Sequence, residues 1–253
     1  MDLGLNGLKA VVTGGTKGIG RAIVKTLLRE GVQVAFCARS TEDVTATEAE
    51  FSRIGVKVMG RSVEVGDGPA LAAFVDEASK VLGGIDIVVA NVSALAISND
   101  EASWKSGFDI DMMGTVRLIN AALPSLEKST SAAIVTISSV SAREIDFAAG
   151  PYGAFKAAIV HYTQGLALQL AAKNVRVNSV SPGNTYFQGG VWDKIEKGNP
   201  TLFKEALALN PTGRMGTPQE IANAVVFLAS PAASFVTGTN LVVDGALTRG
   251  VQL

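Results

Sequence analysis

Leu8-Lys9-Ala10-Val11-Val12, followed at once by Thr13-Gly14-Gly15-Thr16-Lys17-Gly18-Ile19-Gly20, is the segment that leaves this chain the fewest options. The apolar run reads as a buried strand, and the glycines after it mark a tight loop in which side chains would obstruct the backbone. Apolar residues then recur at helical spacing over residues 21–30, and Gly31 stands where a C-terminal cap belongs. Val32-Gln33-Val34-Ala35-Phe36-Cys37 supplies the next strand. Strand, glycine loop, helix and strand make a βαβ unit, in which the two strands lie parallel. Such a loop lets backbone N–H groups approach a pyrophosphate, and the helix N-terminus aims a partial positive charge at it.

The pattern of strand and helix continues through all 253 residues without linker, repeat or charge block, which predicts one α/β domain. With 47% apolar and only 6% aromatic residues, the core is one of Val, Ile, Leu and Ala in a buried, mostly parallel sheet with helices on both faces. A net charge of −1 gives no electrostatic footprint for nucleic acid. No apolar run is long enough to span a bilayer, and Met1-Asp2-Leu3-Gly4 lacks a signal peptide's basic start, so the reading is a soluble cytoplasmic protein without membrane partners. Cys37 is the only cysteine and reads as a small buried hydrophobe. His161 is the only histidine, five residues after Lys156 and so about 140° round the helix, and reads as a satisfied structural residue. A Ser-His-Asp hydrolase and a multi-histidine metal site have no materials here, and no metal is expected.

Further along, residues 56–58 and the stretch near 63–65 suggest a third strand, Asp67-Gly68-Pro69 starts a helix running to about Leu82, and residues 85–90 form a fourth strand. A long helix is predicted over about 104–126, a fifth strand over 132–137, a helix over about 150–173, a sixth strand over 175–180 and a helix over 218–229. The fifth strand ends at Ser138-Ser139, and Ser139 lies 13 positions before Tyr152-Gly153-Ala154-Phe155-Lys156. In a helix, Tyr152 and Lys156 share a face. A cation beside a phenol favours phenolate, with about 4 kcal/mol available from a unit charge about 4 Å away at an effective dielectric near 20. That makes tyrosine usable as an acid or base, with a serine hydroxyl able to hold a developing oxyanion. Alternation along the strand sends only one of Ser138 and Ser139 into the site, and Ser141 belongs to the loop beyond.

Together these motifs, with Asn178-Ser179-Val180-Ser181-Pro182-Gly183 and a closing strand near residues 236–245, resemble the short-chain dehydrogenase/reductase family in its form of about 250 residues, and in particular its NADP-preferring carbonyl and 3-oxoacyl reductases. The resemblance covers essentially the whole chain. It implies a single-domain, doubly wound Rossmann fold with seven strands, and hydride transfer between NADP(H) and a ketone or secondary alcohol. Ser139, Tyr152 and Lys156 fall on its catalytic positions, Tyr152 as general acid or base and Lys156 also reaching the nicotinamide ribose. Gly14, Thr16, Lys17, Gly18, Ile19, Arg39, Glu64, Val65, Asn91, Pro182, Gly183 and Thr185 fall with Tyr152 and Lys156 on its cofactor-binding positions. Residues 186–212 resemble its substrate lid, in which Phe187, Val191, Trp192, Ile195, Leu202 and Phe203 either line a pocket or pack the lid down. A homotetramer is implied through the two long helices and through the closing strand with its tail.

Three departures stand out. The family's Asn-Asn-Ala-Gly turn is Ala90-Asn91-Val92-Ser93, its helix asparagine is Asp111, whose carboxylate can take part in the site or pair with Lys156 and blunt its effect, and its threonine after Pro182-Gly183 is Phe187. At the end of the second strand, where an acid would select NAD, stands Ala38, followed by Arg39. Arg39 with Lys17 implies recognition of a 2′-phosphate. The alternative reading is a nucleotide-binding protein of this fold that senses or assembles.

Overall fold

The computed structural model describes residues 2–250; Met1 and residues 251–253, the end of the tail invoked for assembly, lie outside the described residues. Among the described residues, β1 (Lys9–Thr13), β2 (Gln33–Ala38), β3 (Val58–Ser62), β4 (Ile87–Ala90), β5 (Ala133–Ile137), β6 (Arg176–Pro182) and β7 (Asn240–Val243) form one sheet in the order β3-β2-β1-β4-β5-β6-β7. Every pairing is parallel, where the sequence reading allowed a mixture. Alternation within β1 serves both faces: Val11 joins one core layer, Ala10 and Val12 the other. The first layer is covered by α3 (Gly68–Leu82), α5 (Met113–Leu126) and α6 (Pro151–Leu170), the second by α1 (Gly18–Arg29), α2 (Thr41–Phe51) and α9 (Pro218–Ala229). Strand order reverses between β1 and β4, and that switch point is where open α/β sheets bind their ligands.

Three element assignments change. β3 lies between the two fragments expected, because Gly60 and Arg61 hide an edge strand: a Cβ at Gly60 would press on Val44 and Phe36, while Arg61 reaches out to Glu77. β4 starts two residues late because the Asp86 carboxylate takes the Lys9 N–H at 2.9 Å and the Ser129 hydroxyl at 2.6 Å. The long helix expected over 104–126 is three pieces, α4 (Glu101–Ser106), a π-helical turn Gly107–Met112 and α5.

The segment that the resemblance marks as a lid holds α7 (Val191–Gly198) and α8 (Pro200–Ala208). Trp192, Ala206 and Met215 form a small core of their own, with Tyr186, Ile195 and Phe203 packed against it. Of the two readings of its apolar residues, Trp192, Ile195 and Phe203 therefore serve to pack the lid. The Tyr186 hydroxyl donates to Glu196 at 2.6 Å and lies 3.2 Å from an Asp193 oxygen, tying α7 to the segment after β6. Hydrogen bonding to the Glu196 carboxylate raises that phenol to about 12. Cys37 is buried in β2, and desolvation raises its thiol to about 12. His161 is exposed on α6 rather than tied into the interior. Among the described residues no helix is long and apolar enough to cross a membrane, and no group of three or more His, Cys, Asp and Glu side chains converges as a metal site would.

Candidate active site

Ser138 and Ser139 continue β5 in extended backbone, and their side chains diverge as the pleat requires. Ser138 turns inward and donates to the Lys156 carbonyl at 2.9 Å. Ser139 turns to the C-terminal edge of the sheet, where its Oγ accepts the Ser141 N–H at 3.2 Å and donates to the Ser141 hydroxyl at 3.2 Å. Pro151 opens α6 at its first helical position, so Tyr152 occupies the first turn and Lys156 lies one turn on. The Lys156 ammonium donates to the Ile137 carbonyl at 3.0 Å and sits 5.7 Å from the centre of the Tyr152 ring. Gly153, between them, lets the loop before α6 close in: a Cβ there would come within 2.9 Å of the Ser141 carbonyl and 3.0 Å of the Ala148 carbonyl.

Asp111 enters this cluster from the π-helical turn. Its Oδ1 lies 3.1 Å from Lys156 Nζ, with side chains only 2% and 3% exposed. No hydrogen bond aligns on that oxygen, so the contact is an attraction of charges, while Oδ2 accepts the Ala94 N–H at 2.9 Å. The extra residue of a π turn shifts the helical register and is a recurrent device at functional sites. Gly107 begins the turn because a Cβ there would run into Phe155 of α6, which is flanked by Trp104 and Phe108. The altered Ala90-Asn91-Val92-Ser93 turn places its left-handed residue at Leu95, φ +50, with the Leu95 N–H donating to the Ser93 hydroxyl. A non-glycine residue in that region costs about 1–2 kcal/mol.

At the switch point the glycine loop is tied to β2, where the Cys37 carbonyl accepts from the N–H groups of Gly14 and Gly15. Helix α1 then begins at Gly18 with no capping side chain at its N-terminal opening, over which the Phe187 ring lies. Thr16 and Ile19 flank this opening, both half-buried. The Asn91 side-chain amide donates to the carbonyls of Thr13 at the end of β1, at 3.1 Å, and of Gly14 in the glycine loop, at 3.3 Å, bracing the crevice. Lys17 pairs with Asp43 at 2.6 Å and Arg39 with Glu64 at 3.9 Å, the cations being 70% and 76% exposed. The Lys17 ammonium hydrogen-bonded to Asp43 holds that carboxyl below its usual range. Val65 is buried against Gly114, and Pro182 and Gly183 end β6, with Gly183 N–H on the Val243 carbonyl. The Thr185 hydroxyl donates to the Gly183 carbonyl at 3.0 Å.

Comparison with known proteins places this arrangement. A family model described as enoyl-(acyl carrier protein) reductase matches residues 14–248. Isoepoxydon dehydrogenase of Penicillium expansum is 40% identical over 100% of this chain and 99% of its own length. Dehydrogenase/reductase SDR family member 4 of Sus scrofa is 33% identical over 93% of this chain and 85% of its own. The chain is a short-chain dehydrogenase/reductase. Among solved structures, an NADPH-bound short-chain oxidoreductase of Pseudomonas aeruginosa with an atypical catalytic center is similar with a TM-score of 0.90 and 31% identity, covering 96% of this chain and 98% of that one. L-sorbose reductase of Gluconobacter frateurii, complexed with NADPH and L-sorbose, is similar with a TM-score of 0.90 and 28% identity, covering 99% of this chain and 100% of that one.

In this short-chain dehydrogenase/reductase, sequence reasoning did not anticipate that Ser139 would be joined to Ser141 and Asp146. The Ser141 hydroxyl links Ser139 to the Asp146 carboxylate, to which it donates at 2.6 Å. A serine four residues past a strand and an aspartate in a loop carry no periodic signal, so spacing could not have found them. Phe187 is the other surprise. Its ring lies across the glycine loop, 2.5 Å from where a Cβ on Gly18 would stand.

Proposed function

We propose that this chain transfers hydride between NADP(H) and a ketone or secondary alcohol, with Tyr152 as general acid or base. The observation that carries the reading is the buried Lys156 ammonium held 5.7 Å from the Tyr152 ring, at the strand end that presents Ser139. The uncapped start of α1 and the exposed Lys17 and Arg39 suit a phosphorylated dinucleotide. When bound, NADP(H) supplies the hydride chemistry. The chain's own residues do the rest. Ser139 donates to the carbonyl oxygen as negative charge develops there, and Tyr152 passes its phenolic proton to that oxygen. Lys156 supplies positive charge beside the phenol, moderated by Asp111. NADPH consumption with cyclohexane-1,2-dione, L-sorbose or an acetoacetyl thioester tests the reading. The second reading, a binder without turnover, is favoured by the Asp111–Lys156 pair and would be established by NADPH uptake with none of the three ketones reduced.

Cofactor preference follows from local charge. Exposed ion pairs such as Lys17–Asp43 and Arg39–Glu64 are weak because water screens them, so a 2′-phosphate can draw both cations away from their carboxylates. NADPH is expected to be favoured over NADH by at least about tenfold in kcat/KM, close to 1.4 kcal/mol. The margin falls in Arg39→Ala and falls further when Lys17 is also removed. Equal efficiency with NADH on the same ketone overturns this assignment.

The family resemblance also supports a homotetramer, and the exposed Ala154, Ala157 and Leu168 leave one face of α6 open to a second copy. A monomeric mass by light scattering at micromolar concentration would count against it.

A further inference from the structure

We propose that Ser141 and Asp146 are positioning residues for Ser139, forming a hydroxyl chain anchored on a carboxylate that fixes where the Ser139 oxygen stands and which way its proton points. The inference rests on the reading that Ser139 holds the substrate oxygen.

The order of the chain follows from what each group can do. An ionised carboxylate only accepts hydrogen bonds. Asp146 is itself fixed, because its Oδ1 accepts the Ala148 N–H at 2.8 Å and its backbone carbonyl accepts the Ala149 N–H at 3.2 Å. Its Oδ2 takes the Ser141 hydroxyl proton at 2.6 Å, the short length of a charge-assisted bond. With that proton committed, the Ser141 oxygen faces Ser139 as an acceptor at 3.2 Å. The Ser141 N–H meanwhile donates to the Ser139 oxygen at 3.2 Å. One residue thus grips Ser139 twice, through its amide and through its hydroxyl. The Ser139 hydroxyl has a resting acceptor in Ser141 and turns its hydrogen bond to a substrate oxygen by rotation about a single bond, keeping its proton. Gly153 and the Gly153 N–H on the Ala148 carbonyl hold this loop against the first turn of α6, so the chain is in register with Tyr152.

Removing the anchor leaves Ser141 free to turn its proton toward Ser139, and removing the Ser141 hydroxyl leaves Ser139 with no resting acceptor. The test measures kcat and KM with NADPH and the best reduced of the three ketones above, for Ser141→Ala, Ser141→Thr, Asp146→Ala and Ser139→Ala and for each of the first three combined with Ser139→Ala. Thermal melting checks that the fold is retained. Ser141→Ala and Asp146→Ala are expected to lower kcat about tenfold with the KM for NADPH unchanged, and Ser141→Thr to recover most of it because it keeps a hydroxyl. In the Ser139→Ala background the same changes are expected to cost less than about twofold, since residues that act through one group do not add. A further tenfold loss in that background overturns the proposal while leaving the role of Ser139 standing. Wild-type rates in Ser139→Ala overturn both, and are distinguished by that single variant.

Discussion

Tyr152→Phe is expected to lower kcat by about 10² to 10⁴, the usual contribution of a positioned general acid, while the Kd for NADPH stays within about twofold of the parent. The substitution removes one oxygen and keeps the ring. Lys156 does not depend on that oxygen for its place, since its ammonium is held by the Ile137 carbonyl and by the charge of Asp111. The geometry around the lost hydroxyl therefore survives, and the defect falls on proton transfer alone. Neither His161, exposed on α6, nor Asp111, turned to Lys156 and Ala94, is placed to replace it. Stopped-flow turnover of the best ketone, with fluorescence titration of NADPH, reads both quantities. A kcat within tenfold of the parent would mean that the proton comes from elsewhere.

Asp111→Ala is expected to destabilise the fold by about 3–5 kcal/mol, the range for breaking a buried ion pair from one side. Both partners are almost wholly buried, so the lysine left behind cannot recover hydration. Asp111→Asn rescues this only in part. The carboxylate faces two donors, the Lys156 ammonium and the Ala94 N–H, and an amide offers a single acceptor group beside a donating NH₂. Whichever way that amide turned, one donor would meet another. Urea denaturation of the two variants is expected to rank them parent, Asp111→Asn, Asp111→Ala in falling midpoint. An Asp111→Ala midpoint equal to the parent's would show that the pair contributes nothing to stability.

The parts of this molecule that were legible in the sequence are those written locally. The glycine loop, the start of α3 at Asp67 with its proline, the Tyr152–Lys156 spacing and the α9 start at Pro218 each depend on neighbours within a few residues. β3 was misread because its glycine and arginine answer to partners in other elements, Phe36 and Glu77. The π turn was invisible for a related reason. Apolar spacing over 104–126 is compatible with a continuous helix, and the interruption brings in Phe155 and Lys156, which lie more than forty residues on. Around Ser139, Tyr152 and Lys156, their nearness was readable but hydrogen-bond direction was not. That Asn91 spends its amide on Thr13 and Gly14, or that Asp146 ends a chain beginning at Ser139, is a property of the folded loops.

The contact between Phe187 and Gly18 carries a consequence for how such a chain can change over time. Position 18 is confined to glycine twice, by its left-handed backbone at φ +51 and by the phenyl ring that lies where a side chain would begin. Asparagine tolerates the first constraint but not the second. With a smaller side chain at 187, the backbone conformation alone would limit what stands at 18. The two positions, 169 residues apart in the sequence, are therefore coupled in the fold: any side chain at 18 requires the Phe187 ring to move, so what stands at 187 sets the space at the glycine loop.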